Sequence, residues 1–260
     1  VFMPAPPLVV IGGTILARHS PENLCPHQIF CNSCIHRSKD DSGPISCSAS
    51  SMALPCPVAL IRFYDAQLRD ETPAVMPADG HLMAAIADNH RCNRLLWQTE
   101  DQARRRDVPA DAIVRCKRDI DRYNQQRNDA VERIDEALLL QLNRSARRPN
   151  ARQHSETAGA IIDRLSILSL KIFHMRQQTE RQDADAAHLS GCGAKLQCLH
   201  AQRSDLRDCL AQLLDDIRHG DAYFKPYRQF KMYNDPRLNP WLTAGAQTLP
   251  PCAPEIVPPR

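Results

Sequence analysis

From Ala158 to Met175 the chain is apolar on almost every side of a helix, and no other stretch limits the possible folds so much. Ile161, Leu165, Leu168, Ile172 and Met175 recur at spacings of four and three, the period of a buried helical stripe. Ile162, Ile167, Leu170 and Phe173 fill the sides that a surface helix would give to water. A helix of this kind must be covered all round, so it belongs in the middle of a bundle. Ser155 or Thr157 can cap its start, and Glu156 adds negative charge to the first turn. Asp163, Arg164, Lys171 and His174 are set into it, where a central helix is expected to exclude polar groups or pair them.

The surrounding text supplies the covering helices. A short amphipathic piece over 59–70 ends at Thr72-Pro73. A first long helix is predicted from Asp79 to about Arg106, with the stripe Met83, Ile86, His90, Asn93, Trp97, Glu100 and Arg104, and Asp107-Val108-Pro109 stops it. A second runs from Ala110 to Leu142 with Ile113, Lys117, Ile120, Asn124, Arg127, Val131, Ile134 and Leu138 in line. Residues 143–153 read as a loop, and the central helix, the third, ends near Glu180. The fourth spans about Asp185 to His219, with Gly191 and Gly193 as candidate breaks near its start and Gly220 at its end. The expectation is an all-α fold, an antiparallel bundle of about four long helices within residues 59–242. Tyr223, Tyr227 and Phe230 suggest a short helix inside an aromatic strap that ends the domain, stopped at Asn234-Asp235-Pro236.

Both ends differ from the bundle. Residues 1–58 are rich in Pro, Ser and Cys without helical period, and read as an irregular, disordered extension. Its apolar run Leu8–Leu16 is too short to span a bilayer and makes a poor signal peptide. Cys25, His27, Cys31, Cys34, His36, Cys47 and Cys56 raise the question of zinc, but their spacing matches no standard finger, so no metal site is assigned. Residues 243–260 are a Pro-rich tail. Eleven cysteines, an odd number in so long a chain, do not make a secreted disulfide framework, and a cytoplasmic location is expected. Lys and Arg total 33 against 30 Asp and Glu, a net charge of +3, which argues against a general nucleic-acid or membrane-surface binder.

The candidate site comes from a contrast among the stripes. The fourth helix offers Leu at almost every inward position, with Arg203 the exception, whereas the first two place His90, Asn93, Glu100, Lys117, Asn124 and Arg127 where Leu is expected. Each polar group buried without a partner costs roughly 1–3 kcal/mol, so these must pair with one another, with water or with a ligand. A structural network, or a stripe drawn on the wrong face, is one reading. The functional reading is a polar pocket between the first three helices, formed by Asn93, Glu100, Lys117, Asn124, Arg127, Asn128, Asp163, Arg164 and Lys171, with Lys231 of the strap on its edge.

Several motifs in order carry a resemblance. Asn93-x-x-Leu96-Trp97-x-x-Glu100-Asp101-x-Ala103-Arg104 is followed by Lys117-x-x-Ile120-Asp121-x-x-Asn124-Gln125-x-Arg127-Asn128-Asp129. Then come Ser155-Glu156-Thr157, Ile162-Asp163-Arg164-Leu165-Ser166-Ile167-Leu168 and Tyr227-Arg228-Gln229-Phe230-Lys231-Met232-Tyr233-Asn234-Asp235-Pro236. Over about residues 79–240 the chain resembles the bacterial family catalogued as domain of unknown function 4254, with Ala158 where that family usually has Pro. The resemblance implies an all-helical protein, of a kind often encoded beside glycosyltransferase and surface-polysaccharide genes, with no established activity.

Two functions follow as expectations. One is an accessory or binding protein of surface-polysaccharide assembly that recognises a phosphorylated sugar or a nucleotide-sugar, with glycosyltransferases as partners; a homo-oligomer is compatible with it. Arg127 and Arg164 suit bidentate grip on phosphate, and Asn and acidic groups suit hydroxyls. The alternative is a magnesium-dependent enzyme on nucleotide or sugar phosphates, with Glu100 and Asp101, Asp129 and Glu132, and Glu156 and Asp163 as oxygen donors. No Ser-His-Asp order, phosphate-cradling Gly loop or dinucleotide fingerprint is present.

Overall fold

The computed structural model describes residues 54–71, 80–142, 146–229 and isolated positions from 231 to 239. The expected extension up to residue 53, its candidate zinc ligands other than Cys56, and the Pro-rich tail lie outside the described residues. Among the described residues there are five helices: α1 (Pro57–Leu68), α2 (Gly80–Ala103), α3 (Ala110–Leu142), α4 (Ala158–Thr179) and α5 (Ala186–Arg218). Two short parallel strands, β1 (Arg152–Gln153) and β2 (Ala222–Tyr223), pair with each other. The fold is all-α.

Helices α2 and α3 form one antiparallel hairpin. Asp88 reaches Arg133, and Cys92 reaches Gln126 farther along α2 and nearer the start of α3. Helices α4 and α5 form the other hairpin, Ser169 meeting Arg203 and His174 lying near Lys195. α2 and α4 run in the same direction, since Asn89, Asn93 and Trp97 meet Asp163, Ser166 and His174 in turn. α4 packs against α1, α2, α3 and α5, which is the central place its all-round apolar sequence demands. Leu60, Tyr64, Leu82, Ile86, Ile134, Leu138, Ile161, Ile162, Leu165 and Leu210 form the fully buried centre. Of the two candidate caps, Thr157 takes the position, its side chain accepting from the Ala160 amide at 3.1 Å. Asp185 caps α5 by accepting from His188 at 2.7 Å, and α5 then runs unbroken through Gly191 and Gly193.

The core is lopsided. No residue from 100 to 119 is buried, and in α5 only Cys192 is buried before Arg203. The α2–α3 and α4–α5 connections therefore sit at the thinly packed end of the bundle. At the other end Gly220, with φ of +78°, turns the chain out of α5, a conformation that suits Gly. Arg152 then donates to Asp221 O at 2.8 Å and His154 to Tyr223 O at 2.7 Å, tying the end of α5 to the segment that enters α4.

The strap differs from expectation in form. Residues 224–229 adopt no helix, because Pro226 disfavours helical geometry at Lys225 and lacks the amide a helix would use. Phe224 is buried, Tyr223 lies under the Arg147 guanidinium at 3.4 Å, and Tyr227 is 70% exposed. The strap is held on α3 by polar contacts: Asn128 donates to Gln229 at 2.9 Å, and Arg228 lies 3.9 Å from Glu132 and 3.8 Å from Glu136.

Candidate functional site

The polar residues read from the sequence do not converge in one cavity. They divide into a buried network in the core, a half-buried basic cluster beside the strap, and pairs on the surface.

The buried network joins α1, α2 and α4. Asn89 and Asn93 stand one turn apart on α2 and both donate to Asp163 Oδ1, at 2.8 and 2.9 Å. Asn93 also approaches Ser166 Oγ at 3.0 Å, and His90 Nδ1 meets the same oxygen at 2.8 Å. Tyr64 stacks on His90 with centroids 4.7 Å apart and directs its hydroxyl to Ile162 O at 3.4 Å. Burial, and then the Asp163 charge, hold the Tyr64 phenol well above its ordinary pKa. His90 is 2% exposed, and burial followed by the Arg94 charge pushes its pKa down to about 4, so the ring is neutral at pH 7. Its Nε2 has no hydrogen-bond partner. A proton on Nδ1 is then the cheaper arrangement, because an unpaired buried lone pair costs less than an unpaired N–H. Arg203, the exception on α5, reaches Asp65 at 2.7 Å and Ser169 at 3.2 Å. These contacts satisfy core groups and fix how α2, α4 and α5 meet.

Of the expected site, Asn93 and Asp163 belong to this network. Glu100 turns outward and pairs with Arg104 at 3.0 Å, Lys117 is exposed and pairs with Asp121, and Arg164 is exposed and held by Glu156 at 2.9 Å. The stripes that carried Glu100 and Lys117 were strict seven-residue repeats, whereas a straight helix drifts about 20° per heptad. By the end of α2 the inward positions are Leu96 and Thr99, one residue behind Trp97 and Glu100. Lys171 is also exposed, on the wall of a groove between α2, α4 and α5.

Asn124, Arg127, Asn128 and Lys231 do gather. Asn124, Arg127 and Asn128 share one face of α3 by helical spacing, and Asn128 anchors the strap that carries Lys231. Arg127 and Asn124 are half-buried. Arg127 Nε is buried with no acceptor, in a molecule where most guanidinium groups have a carboxylate. Desolvation, and then the Arg127 charge, push the Lys231 ammonium below its ordinary pKa, with Asp129 and Asp121 opposing. Asp129 accepts from Gln125 at 2.7 Å, and Asp121 takes Lys117. Lys231 thus feels the Arg127 charge as well as those of Asp129 and Asp121, and an anion beside the two cations would relieve their repulsion.

The oxygen donors weighed for magnesium are dispersed. Asp163 takes two amides, Glu156 takes Arg164, Glu100 takes Arg104, and Glu132 faces Arg228. Among the described residues no group of three His, Cys, Asp or Glu side chains is placed to hold a metal ion.

Asp135 escaped sequence reading. It is 3% exposed, accepts from the Gly159 amide at 2.7 Å, and burial raises its pKa to about 6 against the hydrogen bonds from Thr157 and Gly159. The only sequence signal was an acid on the inward side of α3, opposite Gly159 in the first turn of α4. Asn89 was also missed, since it lies off the seven-residue stripe.

A family model described as a protein of unknown function (DUF4254) matches residues 83–226, which span α2 to the start of the strap. No curated protein and no solved structure matches the chain.

Proposed function

The chain belongs to the DUF4254 family, and from that premise we propose that it binds a phosphorylated sugar or nucleotide-sugar at the Arg127 cluster, as an accessory protein in the cytoplasm for surface-polysaccharide assembly. The observation that carries the binding site is the Arg127 guanidinium, half-buried beside Lys231 with Nε unpartnered. A buried N–H without acceptor costs roughly 1–3 kcal/mol, and a phosphate oxygen would restore the bond and neutralise two cations together. Asn124, with no hydrogen bond among the described residues, stands one turn away to meet a sugar hydroxyl. The polysaccharide setting, with glycosyltransferases as partners, rests on the gene surroundings that the family resemblance implies. The magnesium-dependent alternative has no comparable support from the dispersed acids.

The test is a thermal-shift and calorimetric screen of sugar 1-phosphates and nucleotide-sugars, with and without magnesium. The parent should be stabilised by one of them, and the Asn124→Leu/Arg127→Leu double variant should stay folded and lose that response. A double variant that unfolds, or a response that survives in it, would remove the cluster as the site.

A further inference from the structure

The groove between α2, α4 and α5 lies at the thinly packed end of the molecule and shares no residue with the Arg127 cluster. Its volume is about 520 Å³, within the range of small-molecule sites. Two features define what it suits. Trp97 of α2 and His174 of α4 stack in parallel on its wall, their centroids 4.5 Å apart and their planes 5° from coplanar, with Met175 and Leu199 extending the apolar surface. Lys171 and Lys195 approach it from α4 and α5, and neither has an ion-pair partner among the described residues. One acid, Asp101, shares the lining.

We infer that this groove is a nucleotide site, where a base packs against the Trp97–His174 wall and the phosphate is held by Lys171 and Lys195. Flat aromatic and apolar surface favours a planar ring over a bare sugar phosphate, since base–aromatic stacking supplies about 1–3 kcal/mol. The two free ammonium groups supply the charge complementarity that selects an anionic ring compound over a neutral one. Lysine amines act here as point charges, which suits a terminal phosphate of variable position.

Trp97 and Trp241 are the chain's two tryptophans, so a full-length Trp241→Phe variant makes Trp97 the sole reporter. Its emission is titrated with uridine and adenosine monophosphates, with the free nucleosides and inorganic phosphate as controls. Saturable quenching by at least one monophosphate is expected, stronger than by its nucleoside or by phosphate alone. Lys171→Ala and Lys195→Ala should each weaken it on the order of tenfold. Arg127→Leu should leave it unchanged. Non-saturable quenching, or equal affinity in the lysine variants, overturns the assignment; quenching lost only in Arg127→Leu moves the nucleotide to the other cluster and also overturns it. Acrylamide tests other occupants. Trp97 shielded in the unliganded monomer gives the groove to another segment of this chain, and shielding that grows with protein concentration gives it to a second copy. Either result overturns the inference.

Discussion

Asp135 titrates late because burial, with the Glu132 charge adding to it, penalises its carboxylate, and this has a sign. Its folded pKa of about 6 lies above the ordinary carboxyl value of about 3.9, so its contribution to stability is full below the unfolded pKa and is lost as pH rises through 6. Asp135→Asn keeps an oxygen for the Gly159 amide without the charge. Relative to the parent, it should gain on the order of 3 kcal/mol in unfolding free energy between pH 4 and pH 7.5. Parallel pH curves for the two proteins would remove the explanation. His90 runs the other way. Its pKa is depressed to about 4, so its contribution is present above the unfolded value of about 6.5 and is lost as pH falls toward 4. Its ring proton signal in a magnetic resonance titration should accordingly move near pH 4, and a midpoint near 6.5 would contradict the burial argument. Gly159 has a plainer constraint. A Cβ there would stand 2.8 Å from both Val131 O and Asp135 Oδ1, so Gly159→Ala should destabilise by about 2–4 kcal/mol in denaturant unfolding.

At the scale of the helix, α4 is what the sequence declared most clearly. Its apolar circumference demanded neighbours on every side, and the structure gives it four. Helix ends were legible too, because Thr157, Asp185 and Gly220 are chemically suited to caps and turns. Faces were less so. A seven-residue repeat drifts away from a 3.6-residue helix, which is why Asn93 was placed inward correctly and Glu100, one heptad later, was not, while Lys117 lies in the stretch from 100 to 119 where nothing is buried. Pairing was the least legible: nothing in Asn89-x-x-x-Asn93 says that the partner is Asp163, since the two segments are distant in sequence. α4 amides should be among the slowest to exchange with deuterium, opening only with global unfolding, while the first turns of α3 and α5 exchange through local opening. Fast exchange at Leu165 or Ile162 would mean that α4 is not the centre.

The described helical domain is tight at the β1–β2 end and loose at the hairpin connections. Since no residue from 100 to 119 is buried, a chain cut there loses little packing. Among the described helices and their connections, trypsin should cleave first around Arg104, Arg105 or Arg106, and the molecule nicked there should keep its helical circular dichroism and its thermal midpoint within a few degrees. Collapse on nicking would show that this end carries stability not visible in its burial. The described helices include none long and apolar enough to cross a membrane.

The contact of α2 with α4 also bears on how the chain is born. The ribosome releases α2 and α3 before α4 exists, so Asn89 and Asn93 first meet the cell as hydrated amides on a hairpin without its central partner. Only when residues 163 and 166 emerge can the two amides exchange water for Asp163 and Ser166. A slip of α4 by one residue would swing that carboxylate about 100° around its axis and strand both amides dry. The register that the late helix must find is thus the one in which neither amide is left without an acceptor.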